Sequence, residues 1–469
     1  MTCVSELRLT ARPSIAPCSA PLPRRSRFAL RALVRAVLPA LLFVVSAAAV
    51  AGAGPLESTR VTLENGMRVV LAPDSLATAL DVSLWFPAGT RHEKAAQAGL
   101  AQLAARVAFR AGADDPLAGI TARGGSGGML VTPDLTTFSA TVAPAGLGDA
   151  LAFLDSRTSN SVTAPGVLAA DRGAMRAERS RLDRTPVARG IARLWAAAWP
   201  GHPYASTGAG PPASLESLTS ADVDGWRRMQ LAPAGGVLVL SGAFDRDSAL
   251  VAVRRYFGGR PRVRATTAAV SAPRTALRTA LRTTERLDVP LRLCMMGWRG
   301  PGAGDPDAAA FELLAAWLGG SPEARLSRSL VTDWKVAVAA QAGFAAQKDG
   351  SLLWSFAAAA PDADSSAVET MLLDAATAAV RKAPESFELE RTRRQLESAL
   401  LFALQTARQR AQWLGEAELL TGDANAAARR LEALRKVTPA DVQRVATRLM
   451  TEPNRAVVWM FPSNSGGAR

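Results

Sequence analysis

The stretch LTSADVDGWRRMQLAPAGGVLVLSGAF, residues 218–244, decides the fold because a second version of it occurs near the C-terminus as VTPADVQRVATRLMTEPNRAVVWMF, residues 437–461. Within the first version, GGVLVLSGAF is predicted to be a strand from its β-branched run. LDVSLWF, residues 80–86, is matched in the same way by LDVPLRL, residues 287–293. Two matches at similar separations indicate one internal duplication with small insertions or deletions.

The duplication predicts an α+β fold with two homologous domains, each a mostly antiparallel sheet packed with helices. The sheets are expected to be antiparallel because strands come in hairpin-like pairs before the helices and do not alternate with them. The chain of 469 residues is also too long for one ordinary core. Four segments are predicted: a signal peptide at 1–54, an N-terminal domain at 55–264, a linker rich in Thr, Ala and Arg at 265–286, and a C-terminal domain at 287–469.

Local patterns predict the main elements. Asn65-Gly66 suits a type I′ hairpin turn between two short strands. Alternating apolar residues predict a half-buried strand over residues 80–86 and another strand over 136–142. Helices are predicted at residues 99–109, 146–156, 165–182 and 391–410, the last with a leucine stripe, Leu396, Leu400 and Leu404, that faces the core.

The N-terminus has the order of a secretory signal. Five arginines within residues 24–35 directly precede the apolar run at residues 36–50, and small residues follow, with cleavage expected near Ala51 or Ala53. The run is short for a spanning helix, so no stable membrane span is expected in the mature chain. The protein is therefore expected to be exported, to the periplasm or another extracytoplasmic space.

Charge and cysteine content argue against a nucleic-acid-binding protein and against a fold held by disulfides. The net charge of +14 falls to about +8 once the signal is removed. The remaining arginines are scattered among acids, without a basic block or interleaved aromatics, which argues against binding of nucleic acid. Cys294 is the one cysteine after the signal, so no intramolecular disulfide is expected, and this thiol is predicted to be a buried hydrophobe and not a nucleophile.

Several short motifs in a fixed order carry a family resemblance. They are the Asn65-Gly66 hairpin, AGTRHE from residue 88, the helix that begins GLA, the turn RGGSGG, PGHPY from residue 200, the duplicated halves and LERTRRQLESALL from residue 389. Together they resemble the pitrilysin, or insulinase-like, zinc peptidases, which include bacterial and mitochondrial-processing types. The resemblance extends over residues 57–462 and implies the fold of the processing peptidases.

The resemblance implies a zinc site that this chain lacks. In that family the helix after GLA reads H-x-x-E-H, with two imidazoles on one helical face and a Glu that activates the metal-bound water. The corresponding residues here are Gln102, Ala105 and Arg106. An amide is a poor zinc ligand, a methyl group cannot take a proton, and a guanidinium repels the ion.

The family's third ligand, a Glu on a later helix, is retained as Glu178, with Asp171 seven residues before it. One carboxylate does not hold zinc. The two histidines of the chain, His92 and His202, lie at no helical spacing to Gln102 or Glu178. We therefore expect no catalytic residue, no bound metal and no cofactor, although the family uses zinc.

Arg106 suggests a structural replacement for the metal. We predict that its guanidinium occupies the vacated space and pairs with Glu178, as a plug that is neither strongly stabilising nor catalytic. The alternative is that Gln102 and Arg106 simply lie on a polar helix face.

Two further family features concern substrate. The segment RGGSGGMLVTPDLTTF aligns with the strand to which family members add a peptide strand, so Gly127, Gly128, Met129 and Leu130 are candidate peptide-binding residues. The alternative is that the glycines only form a turn before a core strand. The family's Arg/Tyr pair, which binds the substrate backbone, falls on Val331 and Val338 and is therefore degenerate.

Taken with the resemblance, these features predict a pseudo-peptidase and not an enzyme. The expected role is that of a non-catalytic subunit in a heterodimer with a zinc-bearing relative, where it forms half of a chamber that encloses unfolded peptides. Two alternatives stay open. One is a stand-alone peptide-binding or scaffold protein of the same fold, and the other is a zinc metallopeptidase with unorthodox ligands.

Overall fold

A computed structural model of the protein describes residues 58–110, 115–158, 162–206, 208–262, 281–287 and 289–463. The predicted signal peptide, its cleavage site and most of the predicted linker lie outside these residues. Within the described part, no helix combines the length and apolarity that crossing a membrane requires.

The first half of the chain forms a six-stranded sheet in the order β1-β2-β6-β3-β5-β4. Its strands are β1 Thr59–Thr62, β2 Arg68–Pro73, β3 Leu80–Phe86, β4 Ser126–Val131, β5 Thr136–Val142 and β6 Val237–Gly242. Every neighbouring pair is antiparallel except β2 and β6. β4 forms one edge of the sheet, and its one partner among the described residues is β5.

The second half forms a five-stranded sheet in the order β7-β11-β8-β10-β9. Its strands are β7 Leu281–Leu287, β8 Leu293–Gly300, β9 Ala337–Ala346, β10 Ser351–Ala359 and β11 Arg455–Pro462. Only β7 and β11 run parallel. The predicted α+β fold with two mostly antiparallel sheets is confirmed. The predicted linker extends too far, because residues 281–286 within it belong to β7, which pairs along its whole length with β11.

Helices cover the sheets. In the first half they are α1 Leu100–Arg110, α2 Ala118–Thr121, α3 Leu147–Arg157, α4 Pro165–Asp183, α5 Pro186–Ala198, α6 Pro212–Ser217, α7 Ser220–Gln230 and α8 Arg246–Val253. In the second half they are α9 Ala308–Gly319, α10 Ser365–Ala376, α11 Ala378–Arg381, α12 Ser386–Ala403, α13 Ala407–Thr421, α14 Ala426–Lys436 and α15 Pro439–Leu449. Two π-helical turns occur at Arg254–Gly258 and Ser327–Asp333.

The duplication is visible in helix caps. Thr219 and Asp222 form a capping box at the start of α7, and Thr438 and Asp441 form the same box at the start of α15. Each helix leads through a short 3-10 turn into a central strand, β6 or β11. In a capping box the N-cap hydroxyl and the third residue's side chain each satisfy a free backbone N–H, so the two repeats begin their helices in the same way.

The match of LDVSLWF with LDVPLRL is wrong in register. Val82 lies opposite Leu240 in the first sheet, and Cys294 lies opposite Trp459, the counterpart of Leu240, in the second. β3 therefore corresponds to β8, whereas Leu287 ends β7. The likeness of the two heptapeptides is local, and sheet pairing overrides it.

The two halves exchange helices. α5, from the first half, packs on β8 and β11, while α13, from the second half, packs on β3 and β6. Both contacts use glycine: a Cβ at Gly190 would overlap Met295, and a Cβ at Gly415 would overlap Trp85. Because α13 covers its outer face, β3 is buried along all seven residues and is not half-buried as predicted.

Two local predictions are wrong. The turn after β1 is not of type I′, since Gly66 has φ +91 and Asn65 lacks the positive φ that this turn also requires. The Asn65 side chain donates to the Phe257 carbonyl at 2.8 Å instead. The helix predicted over residues 391–410 is two helices, because α12 ends at Ala403 and Thr406 caps a new one.

Candidate functional site

α1 is held in place by its apolar face and by a cap at its start. Five apolar residues of this face are buried in the first core: Leu100, Leu103, Ala104, Val107 and Ala108. The Glu93 carboxylate accepts hydrogen bonds from the N–H of Gly99 at 2.9 Å and of Ala101 at 2.7 Å, which satisfies groups that a helix start leaves free. Burial raises the pKa of Glu93 to about 7, against the lowering effect of these bonds.

The opposite face of α1 contacts α4 at Glu178. Gln102 Nε2 donates to Glu178 Oε2 at 3.2 Å, and Arg106 Nη1 donates to the same oxygen at 3.4 Å. Ala105 between them is fully buried. The predicted contact between Arg106 and Glu178 is therefore confirmed.

Asp171 lies about two helical turns before Glu178 on α4, is more deeply buried, and faces two arginines. Its side chain is only 2% exposed. Arg110 Nε lies 3.1 and 3.2 Å from its two oxygens, and Arg106 Nε lies 3.6 Å from one of them. Sequence reasoning missed Arg110, although its place four residues after Arg106, on the same helical face, could have indicated it.

These residues do not fit a zinc ion. Zinc sites in proteins use three or four imidazole, thiolate or carboxylate ligands, with a water in the open position of catalytic sites. In the described part of the chain, no group of three or more His, Cys, Asp or Glu side chains could hold a metal. The two acids at this site already face two guanidinium groups, so the negative charge that would attract a cation is balanced.

Both histidines lie in a different place, beside a polar network that joins the two halves. Arg91 forms ion pairs with Asp134 at 3.1 Å and with Asp349 from the β9–β10 hairpin. Tyr204 donates its hydroxyl proton to Asp134 at 2.9 Å and accepts from the Asp349 N–H at 3.1 Å. The network belongs to the AGTRHE and PGHPY motifs, and its side chains bind one another and not the Glu178 site.

His92 lies in the AGTRHE segment that precedes α1. It is half-buried beside Arg91, and burial with this cation lowers its pKa to about 4. His202 is buried and packs against Tyr204, with ring centroids 4.4 Å apart, and burial lowers its pKa as well. Its Nδ1 accepts a hydrogen bond from the Tyr204 N–H at 3.0 Å, so His202 has a structural role in this turn.

A cleft runs beside the site between α1, α4 and β4. A cavity of about 500 Å³ is lined by Arg106, Met129 and Leu130, among others. A second cavity, of about 460 Å³, continues from it along α4 and α5. Gln102, Val131 and Glu178 line both, so the plugged site lies at their junction.

The candidate peptide-binding residues lie on the free edge of the first sheet. Gly127, Gly128, Met129 and Leu130 are all within β4, and Leu130 is 44% exposed. Gly127 and Gly128 are strand residues, and the turn before them is made by Gly124, with φ +74, and Gly125. A Cβ at Gly127 would lie 2.9 Å from the Ser139 carbonyl oxygen on the paired strand, so packing favours glycine here.

The two degenerate positions of the second half carry no polar side chain. Val331 lies in the π-helical turn Ser327–Asp333 and packs on the second core. Val338 lies on the edge strand β9 and is 51% exposed. Cys294 is fully buried in β8, and burial raises the pKa of its thiol well above the usual value, so it is not poised as a nucleophile.

Two family profiles match consecutive parts of the chain. The profile for Insulinase (Peptidase family M16) matches residues 68–212, which include α1 and Glu178. The profile for the Peptidase M16 inactive domain matches residues 217–396. The second match begins after α1 and α4; it includes α7, β6 and α8 of the first half and continues into α12 of the second.

Relatives and solved structures agree with these profiles. An uncharacterized zinc protease of Mycobacterium bovis is 24% identical over 411 residues, which are 87% of this chain and 94% of that protein. The crystal structure of a protease from Helicobacter pylori has a TM-score of 0.80 at 18% identity and covers 87% of this chain and 100% of its own. A peptidase M16 inactive domain from Pseudomonas fluorescens has a TM-score of 0.76 at 17% identity, with 88% and 99% covered.

Proposed function

Because the chain belongs to the insulinase family of peptidases, peptidase family M16, we propose that it binds peptides without cleaving them, as the non-catalytic subunit beside a zinc-bearing relative. The proposal combines the family fold, a degenerate zinc site and an accessible sheet edge next to that site.

One observation carries the proposal: the Arg106 guanidinium lies 3.4 Å from Glu178 and 3.6 Å from Asp171. Hydrolysis by a zinc peptidase needs a metal-bound water and a base that takes its proton. Here a permanent cation lies beside the two acids, and the methyl group of Ala105 stands where the base would be. The side chains of α1 can neither bind the ion nor move the proton.

Peptide binding rests on backbone chemistry, which substitution of the zinc ligands leaves intact. Among the strands that the structure describes, β4 pairs with β5 alone, so the backbone N–H and C=O groups of its other edge are available to pair with an added strand. The cavity of about 500 Å³ beside Met129 and Leu130 provides room for side chains of that strand. An extended, unfolded peptide fits this edge because it can supply a continuous row of backbone partners.

The partner and the compartment complete the proposal. A zinc-bearing relative would supply the chemistry, and the two chains would together form the chamber around the peptide. The basic, apolar and small-residue order of the first 54 residues supports export, so both chains would meet outside the cytoplasm.

The test is purification of the tagged protein from its native host, followed by identification of associated chains, metal analysis and a peptide-cleavage assay. A co-purified relative with an intact H-x-x-E-H helix, and cleavage only when that relative is present, is the expected result. A monomer or homodimer that binds peptides with no such relative would make it a stand-alone binding protein. Stoichiometric zinc in the isolated chain, with cleavage that a chelator abolishes, would overturn the proposal.

A further inference from the structure

A third cavity, of about 700 Å³, lies next to the cleft and is rich in arginine. It is bounded by the second half of α4, the start of α5, the segment Gly210–Pro212 and the end of β7. Arg179, Asp183 and Arg189 line both this cavity and the cavity of about 460 Å³ beside Glu178. The three cavities are therefore neighbours, because each shares lining residues with the next, in the order from β4, past Glu178, to the arginines. We call this third space the arginine cavity.

The arginine cavity has an excess of positive charge. Residues 171–193 contain seven arginines against three acids. Four of these arginines line the cavity, Arg176, Arg179, Arg184 and Arg189, with Asp183 as the one acid among the described lining residues.

The arginines differ in how firmly they are held. Arg189 Nε lies 3.1 Å from Glu285, and Arg179 Nε lies 3.0 Å from Asp183. Arg176 pairs with Glu216 at 2.6 Å, but both side chains are about half exposed, and such pairs contribute little. Arg184 is exposed and has no ion pair or hydrogen bond from its side chain to the described residues. Two guanidinium groups, those of Arg176 and Arg184, are thus available to an incoming anion.

We propose that the arginine cavity binds carboxylate groups of the captured peptide, so that the protein selects acidic peptides. This inference rests on the proposed function, since it assumes that a peptide lies along β4. Guanidinium groups pair with carboxylates through two parallel hydrogen bonds, which makes this anion a better fit than a spherical one. The apolar wall of the cavity, which includes Leu215, Leu287 and Val289, excludes water on one side and strengthens the attraction.

The spacing of Glu178 and Arg184 along α4 determines where the peptide's carboxylate must lie. Arg184 follows Glu178 by six residues, or about 9 Å along α4 at the rise of an α-helix. An extended peptide covers this distance in about three residues. For a peptide that runs parallel to α4, the selected carboxylate lies about three residues beyond the residue that passes Glu178. Either an Asp or Glu side chain or the peptide's own C-terminus can supply it.

The test is fluorescence anisotropy with the purified full chain and labelled ten-residue peptides of neutral, extended sequence. One peptide carries two Glu residues near one end, a second carries Gln in their place, and each is made with a free and with an amidated C-terminus. We expect the Glu peptide to bind about tenfold more tightly than the Gln peptide at low salt, with the difference shrinking as salt is raised. The amidated pair separates side-chain from C-terminal carboxylates.

Variants locate the effect. The double variant Arg176→Gln/Arg184→Gln should reduce the tenfold preference to less than about twofold. The control is the single variant Arg181→Gln. It removes an exposed charge from the same helix but outside the cavity lining, and it should leave the preference unchanged. Circular dichroism confirms that each variant is folded.

The outcomes are distinct. Equal binding of Glu and Gln peptides, or a preference that survives in the double variant, overturns the acidic selection while peptide capture stands. Failure to bind any of the peptides, with or without the partner, overturns the proposed function and this inference with it.

Discussion

Restoring the family's ligands on α1 should restore zinc binding, since the positions are already correctly placed. Gln102 and Arg106 are one helical turn apart and both reach the same oxygen of Glu178, at 3.2 and 3.4 Å. Imidazoles at these two positions would face that carboxylate, and zinc bonds of about 2.0–2.2 Å place the ion among the three side chains. The variant Gln102→His/Arg106→His is therefore expected to bind one zinc ion.

The expected change in stability combines the loss of the Arg106–Glu178 ion pair with the gain from zinc binding. The Arg106–Glu178 pair is 24% and 32% exposed on its two sides, so its loss costs less than about 1 kcal/mol. Asp171 keeps Arg110 and is not left without a cation. Zinc at about a hundredfold excess over its dissociation constant contributes about 2.7 kcal/mol of stability. The variant should thus be slightly less stable than the parent without zinc, and more stable by about 2 kcal/mol with it.

Adding the general base is a separate step. Ala105 is fully buried, so Ala105→Glu introduces atoms into a packed site at a cost of about 1–3 kcal/mol. The two-histidine variant therefore carries the metal-binding test, and the triple variant, with Ala105→Glu added, carries the cleavage test. Metal binding without cleavage in the first, and cleavage in the second, is the expected pair of results.

The assay is thermal unfolding with and without zinc, together with metal analysis of the desalted protein. The control adds Glu178→Gln to the two-histidine variant and should abolish most of the zinc-dependent shift. A folded two-histidine variant that binds no zinc would refute the claim that side chains on α1 alone prevent metal binding.

Three further predictions concern stability. Arg110→Met should cost about 2–3 kcal/mol in denaturant unfolding, against less than about 1 kcal/mol for Arg106→Met, because Arg110 is the main partner of the buried carboxylate; equal costs would contradict this assignment. Gly415→Ala should destabilise by about 1–3 kcal/mol because the added methyl overlaps the indole ring beneath it, whereas Gly225→Ala, on an open helical surface, should be neutral or stabilising. The unfolded state protonates His92 near pH 6.5 and the folded state only near pH 4, so stability is lost as pH falls through this range. Unfolding midpoints measured from pH 7 to 5 should therefore fall less in His92→Gln than in the parent. Parallel curves would show that His92 does not contribute.

Local signals made much of the fold predictable from sequence. The capping boxes at Thr219 and Thr438 and the β-branched runs after them are determined by residues close in sequence, so the duplication could be recognised without a structure. The Arg106–Glu178 contact was also predictable, because the family resemblance placed both residues at one site.

Long-range packing set the limits of prediction. β3 alternates in sequence like a half-buried strand, yet α13, more than three hundred residues later, covers its second face. For the same reason, the network of Arg91, Asp134, Tyr204 and Asp349 could not be predicted from sequence. Its members come from four separate segments and meet only in the folded chain. Nothing in the local sequence of any one of them indicates the other three.

The construction of α1 explains how a zinc site can be absent from an intact fold. The residues that bury the helix, such as Leu103 and Val107, lie on one face, and the residues at the ligand positions lie on the other. Substitution at Gln102 and Arg106 therefore changes no core contact. The retained acids still need positive charge, and two guanidinium groups, from Arg106 and Arg110, carry as much as one zinc ion. Because they are attached to the helix, they balance Glu178 and Asp171 without leaving an open position for water. The fold and its edge strand β4 are thus compatible with the absence of histidine at positions 102 and 106.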